Sequence, residues 1–205
     1  MPQLHELPWD PLTPADVAEL FRDWHRFWCI AGGWAIDLVL GEQTRPHADI
    51  DVLVLRDDAD EIHALLSGWE LYAADPPGSL RRWARSEPLP GHIHDIWCRP
   101  TGTERWRFQL MVMEHDPERW IFRRNTAIGG PLETLAITAG GLPVIATQIQ
   151  LLFKSKGLRP KDVADFQAIL SHLTTKQRQW LQAALTAQDP AHPWLDELVA
   201  DAADT

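Results

Sequence analysis

Hydrophobic positions change their spacing several times along this chain. Val17, Leu20, Phe21 and Trp24 recur at helical intervals. Just before them, Thr13-Pro14-Ala15-Asp16 offers a side-chain cap, a proline suited to the first helical position and an acid for the first turn. A helix over about 14–26 follows. Residues 27–31 form a short apolar run that stops at Gly32-Gly33, as a buried strand would. A short helix over 34–40 closes at Gly41. A polar loop over 42–48 then leads to a strand over 49–55 and a helix that Asp57-Asp58 cap, running to about 67. From 69 to 124 the pattern is β, with strands over 93–98, 106–113 and 120–123. Pro76-Pro77-Gly78 and Pro88-Leu89-Pro90-Gly91 supply turns. Beyond residue 147 the spacing is helical over 148–155, 161–173, 175–187 and 194–202. No internal repeat interrupts the series. The change from β to α near 140–143 is the one candidate boundary, dividing an α/β unit at 1–140 from a helical unit at 141–205.

Composition adds limits. The 205 residues suffice for one good core, or a domain with a small appendage. No stretch is long and uncharged enough to span a bilayer, and residues 1–12 lack the basic-then-apolar order of a signal peptide. Cys29 and Cys98 each sit in an apolar run and read as buried free thiols of a cytoplasmic protein. Most of the eleven tryptophans, Trp24, Trp83, Trp97 and Trp106 among them, stand where core packing needs them.

Charge is uneven. The net value of −10 gives a field that does not attract nucleic acid. Yet all four lysines (Lys154, Lys156, Lys161 and Lys176) fall in one C-terminal stretch, and arginines crowd 81–124. A local anion site is compatible with this pattern, as are plain solvated faces.

Candidate chemistry gathers in two segments. Asp49 and Asp51 are two residues apart on the expected strand, so both carboxylates project from one face, roughly 6–7 Å apart along it. Two such charges repel, and a divalent cation removes the repulsion; Mg²⁺ commonly joins one or two carboxylates to substrate phosphates. A solvated turn is the plain alternative. Gly32-Gly33 stands between a strand and a helix start, where backbone N–H groups and the positive end of the helix dipole receive anions. A tight turn is the plain alternative there. Taken together, the two segments describe a site for a metal–nucleoside triphosphate.

Gly32-Gly33-Trp34-Ala35-Ile36-Asp37, then Gly41, Thr44-Arg45, His47 and Asp49-Ile50-Asp51, closely resemble the signature of aminoglycoside 2''-adenylyltransferase-like proteins. These belong to the DNA-polymerase-β nucleotidyltransferase superfamily, and lincosamide nucleotidyltransferases look similar over the same stretch. The resemblance continues through Trp97-Cys98-Arg99, Trp120-Ile121-Phe122-Arg123-Arg124, and Gln150-Leu151-Leu152-Phe153-Lys154-Ser155-Lys156 with Arg159-Pro160-Lys161-Asp162. It implies an α/β (α+β) fold, a polymerase-β-like mixed sheet flanked by helices with a C-terminal helical part. It implies Mg²⁺ (or Mn²⁺) on Asp49 and Asp51, with Gly32 and Gly33 at the phosphates. Arg45, His47 and Lys154 are further candidate nucleotide-binding residues by position and charge, with a structural histidine and a solvated helix face as the plain alternatives for His47 and Lys154. The implied reaction moves a nucleoside monophosphate, AMP favoured, to a hydroxyl of a small acceptor such as an aminoglycoside, with antibiotic resistance as the setting.

One departure stands out. The superfamily places a third carboxylate on a later strand, and the matching position here is Gln109. Its carbonyl oxygen can coordinate, but it takes no proton at neutral pH. Glu114 has the opposite strand parity, and Asp95 lies on the preceding strand. Two rival readings therefore stay open: a nucleotidyltransferase toxin acting on tRNA or protein, and a non-catalytic nucleotide-binding relative. For single residues, Arg45 is expected at a phosphate or paired with Asp37 or Asp49, Lys156 on a solvated helix face, and His92, His94 and Asp95 short of a full zinc set.

Overall fold

The computed structural model describes residues 4–76 and 78–200, so Pro77 of the expected 76–78 turn and residues 201–205 lie outside it. The first helix, α1 (Pro14–Leu20), begins where its cap chemistry puts it. Thr13 accepts from the Asp16 amide at 3.2 Å while Asp16 accepts from the Thr13 amide at 2.9 Å, a capping box worth about 1 kcal/mol. It ends a turn and a half earlier than its periodicity suggests. Phe21 already leaves helical geometry, and Trp24 reaches it edge-on from the turn that follows.

Ten strands build one sheet. They are β1 (Trp28–Ala31), β2 (Asp51–Leu55), β3 (Trp69–Ala74), β4 (Leu80–Arg82), β5 (Asp95–Pro100), β6 (Phe108–His115), β7 (Arg119–Ile121), β8 (Gly129–Pro131), β9 (Ala136–Ala139) and β10 (Leu142–Ile145). The main path runs β4-β3-β5-β6-β2-β1-β10-β9, and β7 and β8 branch from β6. β2 is parallel to β6 and β1 to β10, while the other pairs are antiparallel, so the sheet is mixed.

Alternation sends the two faces of each strand to different cores. Val52 and Val54 join Ile30, Ile96 and Leu110 on the side of α1 and of α3 (Ile62–Leu65). Leu53, Leu55, Cys29 and Ala31 face the other way, into a core closed by α4 (Thr147–Lys154), α5 (Pro160–Leu170), α6 (Thr175–Gln188) and α7 (Trp194–Ala200). Each fully buried aliphatic here contributes roughly 2 kcal/mol of transfer free energy. Trp83, Trp106, Trp120 and Trp194 are fully buried, Trp24 and Trp97 partly so. Cys29 and Cys98 are buried free thiols.

Two sequence expectations need correction. The β-to-α change falls at Ala146 and not at 140–143, because β10 pairs with β1 inside the sheet and the helices begin at Thr147. Asp57 and Asp58 open a 3-10 turn, Arg56–Glu61, and only four residues of α-helix follow. Among the described residues no helix is long and apolar enough to cross a membrane.

Candidate active site

β1 ends at Ala31 because Gly32 turns the chain into α2 (Gly32–Leu40). Gly32 has φ of +71°, and a Cβ there would lie 2.1 Å from an Asp51 carboxylate oxygen. Only glycine permits both the left-handed backbone and that approach. Gly33 is constrained differently, since a Cβ on it would meet Arg45 at 2.3 Å and the His47 ring at 2.6 Å. The helix thus begins at Gly32, two residues before its expected start, and its N-terminus opens onto a cleft that Gly32 and Gly33 line.

Asp51 is the first residue of β2, and Asp49 precedes the strand. The two do not share a regular strand face as the spacing suggested. Strand pairing with β6 starts only at the Ile50 carbonyl, which accepts from the Gln109 amide at 2.9 Å, and β1 has already ended at Ala31 opposite Asp51. Both carboxylates nevertheless line the cleft. Burial, with the Asp49 charge second, pushes the Asp51 carboxyl up to about 7. No cation of the described residues lies within ion-pair distance of either.

Across the sheet from Asp51, Gln109 is its register partner on β6 and faces the same side. Gln109 donates its side-chain NH₂ to Asp95 at 2.9 Å, and Asp95 comes from β5, one strand further on. An acid therefore stands beside the position where Gln109 replaces one, supplied by the neighbouring strand. Glu114 turns away and bonds Arg56 at 2.6 Å, as its parity required.

The opposite wall comes from α4 and α5. Lys154, buried, approaches Asp165 at 2.6 Å and Asp162 at 3.5 Å. Arg45 reaches the same Asp165 with two bonds of 2.7 and 2.9 Å. Burial alone would raise the Asp165 carboxyl, but the bonds from Arg45 and Lys154 outweigh it and hold it below its ordinary value. Arg159 pairs with Asp162 at 2.6 Å, and Arg159 and Lys161 also line the cleft. Arg45 is thus anchored by an acid 120 residues away, and neither Asp37 nor Asp49 is its partner. Lys156 is exposed and outside the cleft lining, on the solvated face expected of it.

His47 does not line the cleft. Its ring is buried behind Gly33, 2.5 Å from Asp37 and packed at a tilt on Trp34, with ring centroids 4.5 Å apart. Asp37 also accepts from Thr44 at 2.6 Å. His47 and Asp37 therefore shape the loop that carries Asp49. Gln150, which lies in the stretch of resemblance but carried no role there, is buried on α4 and accepts the Gly32 amide at 2.8 Å. That amide is engaged within the protein, so of the glycine pair Gly33 is the one whose amide remains for a phosphate. Asp162 and Asp165 were also unmarked as site residues, although two acids three apart on a half-apolar helix carry a detectable signal.

Residues 15–75 match a family model. The chain resembles the aminoglycoside-2''-adenylyltransferases. That span of the adenylyltransferase-like chain holds the glycines and Asp49-Ile50-Asp51 but stops before Asp95, Gln109 and the basic wall. No curated protein sequence matches it. Among solved structures, the lincosamide antibiotic adenylyltransferase LnuA with lincomycin bound is 17% identical with a TM-score of 0.54, over 78% of this chain and 98% of that one. ANT(2'')-Ia in complex with adenylyl-2''-tobramycin is 16% identical with a TM-score of 0.52, over 84% and 94%. The likeness is one of fold, and the fold is the polymerase-β-like nucleotidyltransferase fold that the sequence led us to expect.

A divalent cation fits these residues in one way. Among the described residues no three Asp, Glu, His or Cys side chains are grouped to hold a metal unaided. Two carboxylates with phosphate oxygens completing the shell is, however, a usual Mg²⁺ arrangement. Burial, and after it the Asp49 charge, raise the Asp51 carboxyl, and a cation bound between the two acids would offset both.

Proposed function

We propose that this protein transfers a nucleoside monophosphate, AMP in the simplest case, from a nucleoside triphosphate to a hydroxyl of a small acceptor. The observation that carries the reading is the placement of Asp49 and Asp51 between a glycine-opened helix and an acid-bearing strand, under a wall of lysine and arginine. Asp49 and Asp51 would hold Mg²⁺ or Mn²⁺. When bound, the ions neutralise the phosphates and lower the pKa of the attacking hydroxyl. Gly33 and the N-terminus of α2 receive phosphate oxygens. Lys154, Arg159 and Lys161 offset the charge of the leaving pyrophosphate. Asp95 is the acid placed to take the acceptor's proton, and Gln109 fixes the direction of its carboxylate. The sheet unit up to Ala146 supplies the acids and glycines of this reading and the helices from Thr147 the lysines, with the acceptor held between them in the cytoplasm. Small hydroxylated antibiotics of the kind bound in the two similar structures are natural first acceptors to try.

The test is label transfer from α-labelled triphosphates, with Mg²⁺, to a panel of hydroxylated compounds. One triphosphate is expected to leave its monophosphate on an acceptor and release pyrophosphate. Transfer that survives Asp49→Ala or Asp51→Ala would sink the metal assignment, and binding without transfer to any acceptor would favour a nucleotide-binding relative.

A further inference from the structure

Two arginines of the cleft, Arg123 beside Asp95 of β5 and Arg124 between it and Phe153 of α4, have no part in the nucleotidyl-transfer reading above. On the glycine side Arg45, Lys154 and Arg159 are held by two carboxylates, Asp165 and Asp162, while Lys161, also in the cleft lining, has no carboxylate within ion-pair distance among the described residues. On the β5 side Arg123 stands 3.8 Å from Asp95, whose other oxygen accepts from Gln109. Its neighbour Arg124 also lines the cleft. Arg124 donates to the Phe153 carbonyl at 3.0 Å and lies over the rings of Phe122 and Phe153. Among the described residues no carboxylate lies within ion-pair distance of it. Burial, and then the charge of Arg123, weaken its hold on its proton. A half-buried guanidinium fixed beside a second one, with one shared carboxylate between them, is an unbalanced arrangement that an incoming anion would balance.

Sheet order says which substrate that anion belongs to. β5 lies two strands from β2, roughly 10 Å, on the side away from β1 and its glycine turn. In-line displacement keeps the leaving pyrophosphate and the attacking oxygen on opposite sides of the reacting phosphorus. With the triphosphate on the glycine side, the β5 side receives the acceptor.

We infer that the acceptor carries an anionic group, a carboxylate or phosphate, which Arg124 binds with Arg123 beside it, so that the acceptor is a hydroxy acid or a phosphorylated alcohol and not a polycation. This rests on the nucleotidyl-transfer reading. A polycationic acceptor would meet two arginines and one carboxylate that Arg123 and Gln109 already share. The net charge of −10 does not rescue it, because distant exposed charges are screened within a Debye length of roughly 8–10 Å.

The test uses the full chain saturated with an α,β-methylene triphosphate and Mg²⁺, titrated with inorganic phosphate by calorimetry. Phosphate is expected to bind alongside the triphosphate. Arg124→Gln should weaken it tenfold or more, Arg124→Lys much less, and Arg123→Gln, at an exposed position, severalfold; triphosphate affinity should move less than twofold in all three. In transfer assays, glycerol phosphate should exceed glycerol tenfold or more in kcat/KM, and Arg124→Gln should erase the difference. Displacement of phosphate by the triphosphate, an unchanged phosphate affinity in Arg124→Gln, or a preference for tobramycin over the acidic acceptors would each overturn the inference. Failure of the triphosphate to bind would instead overturn the nucleotidyl-transfer reading, and phosphate titration of the protein alone, with and without Arg124→Gln, would still decide the anion subsite.

Discussion

The two sides of the cleft are built to different standards of order. On the glycine side the turn and most of the basic wall are tied: the Gly32 amide to Gln150, Arg45 and Lys154 to Asp165, Arg159 to Asp162, with Lys161 and the Gly33 amide left for a ligand. On the β5 side Arg123 is loosely paired with Asp95, and Arg124 rests on a carbonyl and two rings. The first arrangement leaves little freedom, which suits a group that is the same in every turnover. The second leaves charge for an incoming molecule to satisfy, which suits the partner that defines specificity. Preorganisation belongs where the chemistry is constant.

The largest effect should come from the pair between the two sides. Asp51→Asn or Asp49→Ala should lower transfer by at least about 1000-fold, read as kcat/KM with saturating Mg²⁺. If either substitution spares transfer, the contrast between nucleotide side and acceptor side loses its centre. Next, Asp165→Asn should unfold the glycine side selectively. It strands Arg45 and leaves the buried Lys154 only the longer contact to Asp162, and a broken buried pair costs about 3–5 kcal/mol. Thermal denaturation should show Tm falling by roughly 10 °C. A fall as large in Arg123→Gln would erase the proposed difference in order.

Gly32→Ala forces an L-residue into a left-handed backbone and a Cβ against Asp51. A stability loss on the order of 1–3 kcal/mol is expected, together with a loss of transfer of about 100-fold, larger than stability alone would produce. Unchanged activity in that variant would separate the glycine turn from the metal pair. A subtler effect has the opposite sign. The Asp51 carboxyl is raised to about 7, so the folded protein without metal favours its protonated form. Its ionisation costs stability as pH rises from the ordinary carboxylate range through about 7. Asp51→Asn should therefore stabilise the metal-free protein at pH 8, on the order of 1–3 kcal/mol, and leave it nearly unchanged at pH 4. Denaturant titrations at the two pH values measure this, and a gain independent of pH would remove the electrostatic account. The smallest effect is the control. Lys156→Ala, on the exposed end of the basic stretch, should stay within about 0.5 kcal/mol in stability and twofold in activity.

Much of this could be read from the chain because its signals were local. Thr13 to Asp16 announced α1, Gly32-Gly33 announced the turn, and the alternation in Val52 to Leu55 announced a buried strand. The residues that escaped do their work across long separations. Gln150 reaches Gly32 over 118 positions and Arg45 reaches Asp165 over 120, and nothing in either neighbourhood names the other. The pairing of Gln109 with Asp95 depends on which strands lie side by side, so strand order had to be known first. The strands β8, β9 and β10 were missed because they are three or four residues long and broken by Gly129-Gly130, Pro131 and Gly140-Gly141, too short for alternation to register. His47 misled for the converse reason: its place between Arg45 and Asp49 suggested the cleft, but aromatic packing on Trp34 and the bond to Asp37 take it inward.

The bond from Gly32 to Gln150 also bears on how such a chain can be recombined. A segment from α4 onward looks like a cassette that could be exchanged with a relative's. Its first helix nevertheless holds the amide of the turn beside Asp51, deep in the other half. A chimera joined before Thr147 inherits the turn from one parent and its latch from another. Exchanges confined to the Arg123-Arg124 stretch leave that latch whole, so under the proposed reaction inheritable variation in acceptor choice has an easier path there than through the helices.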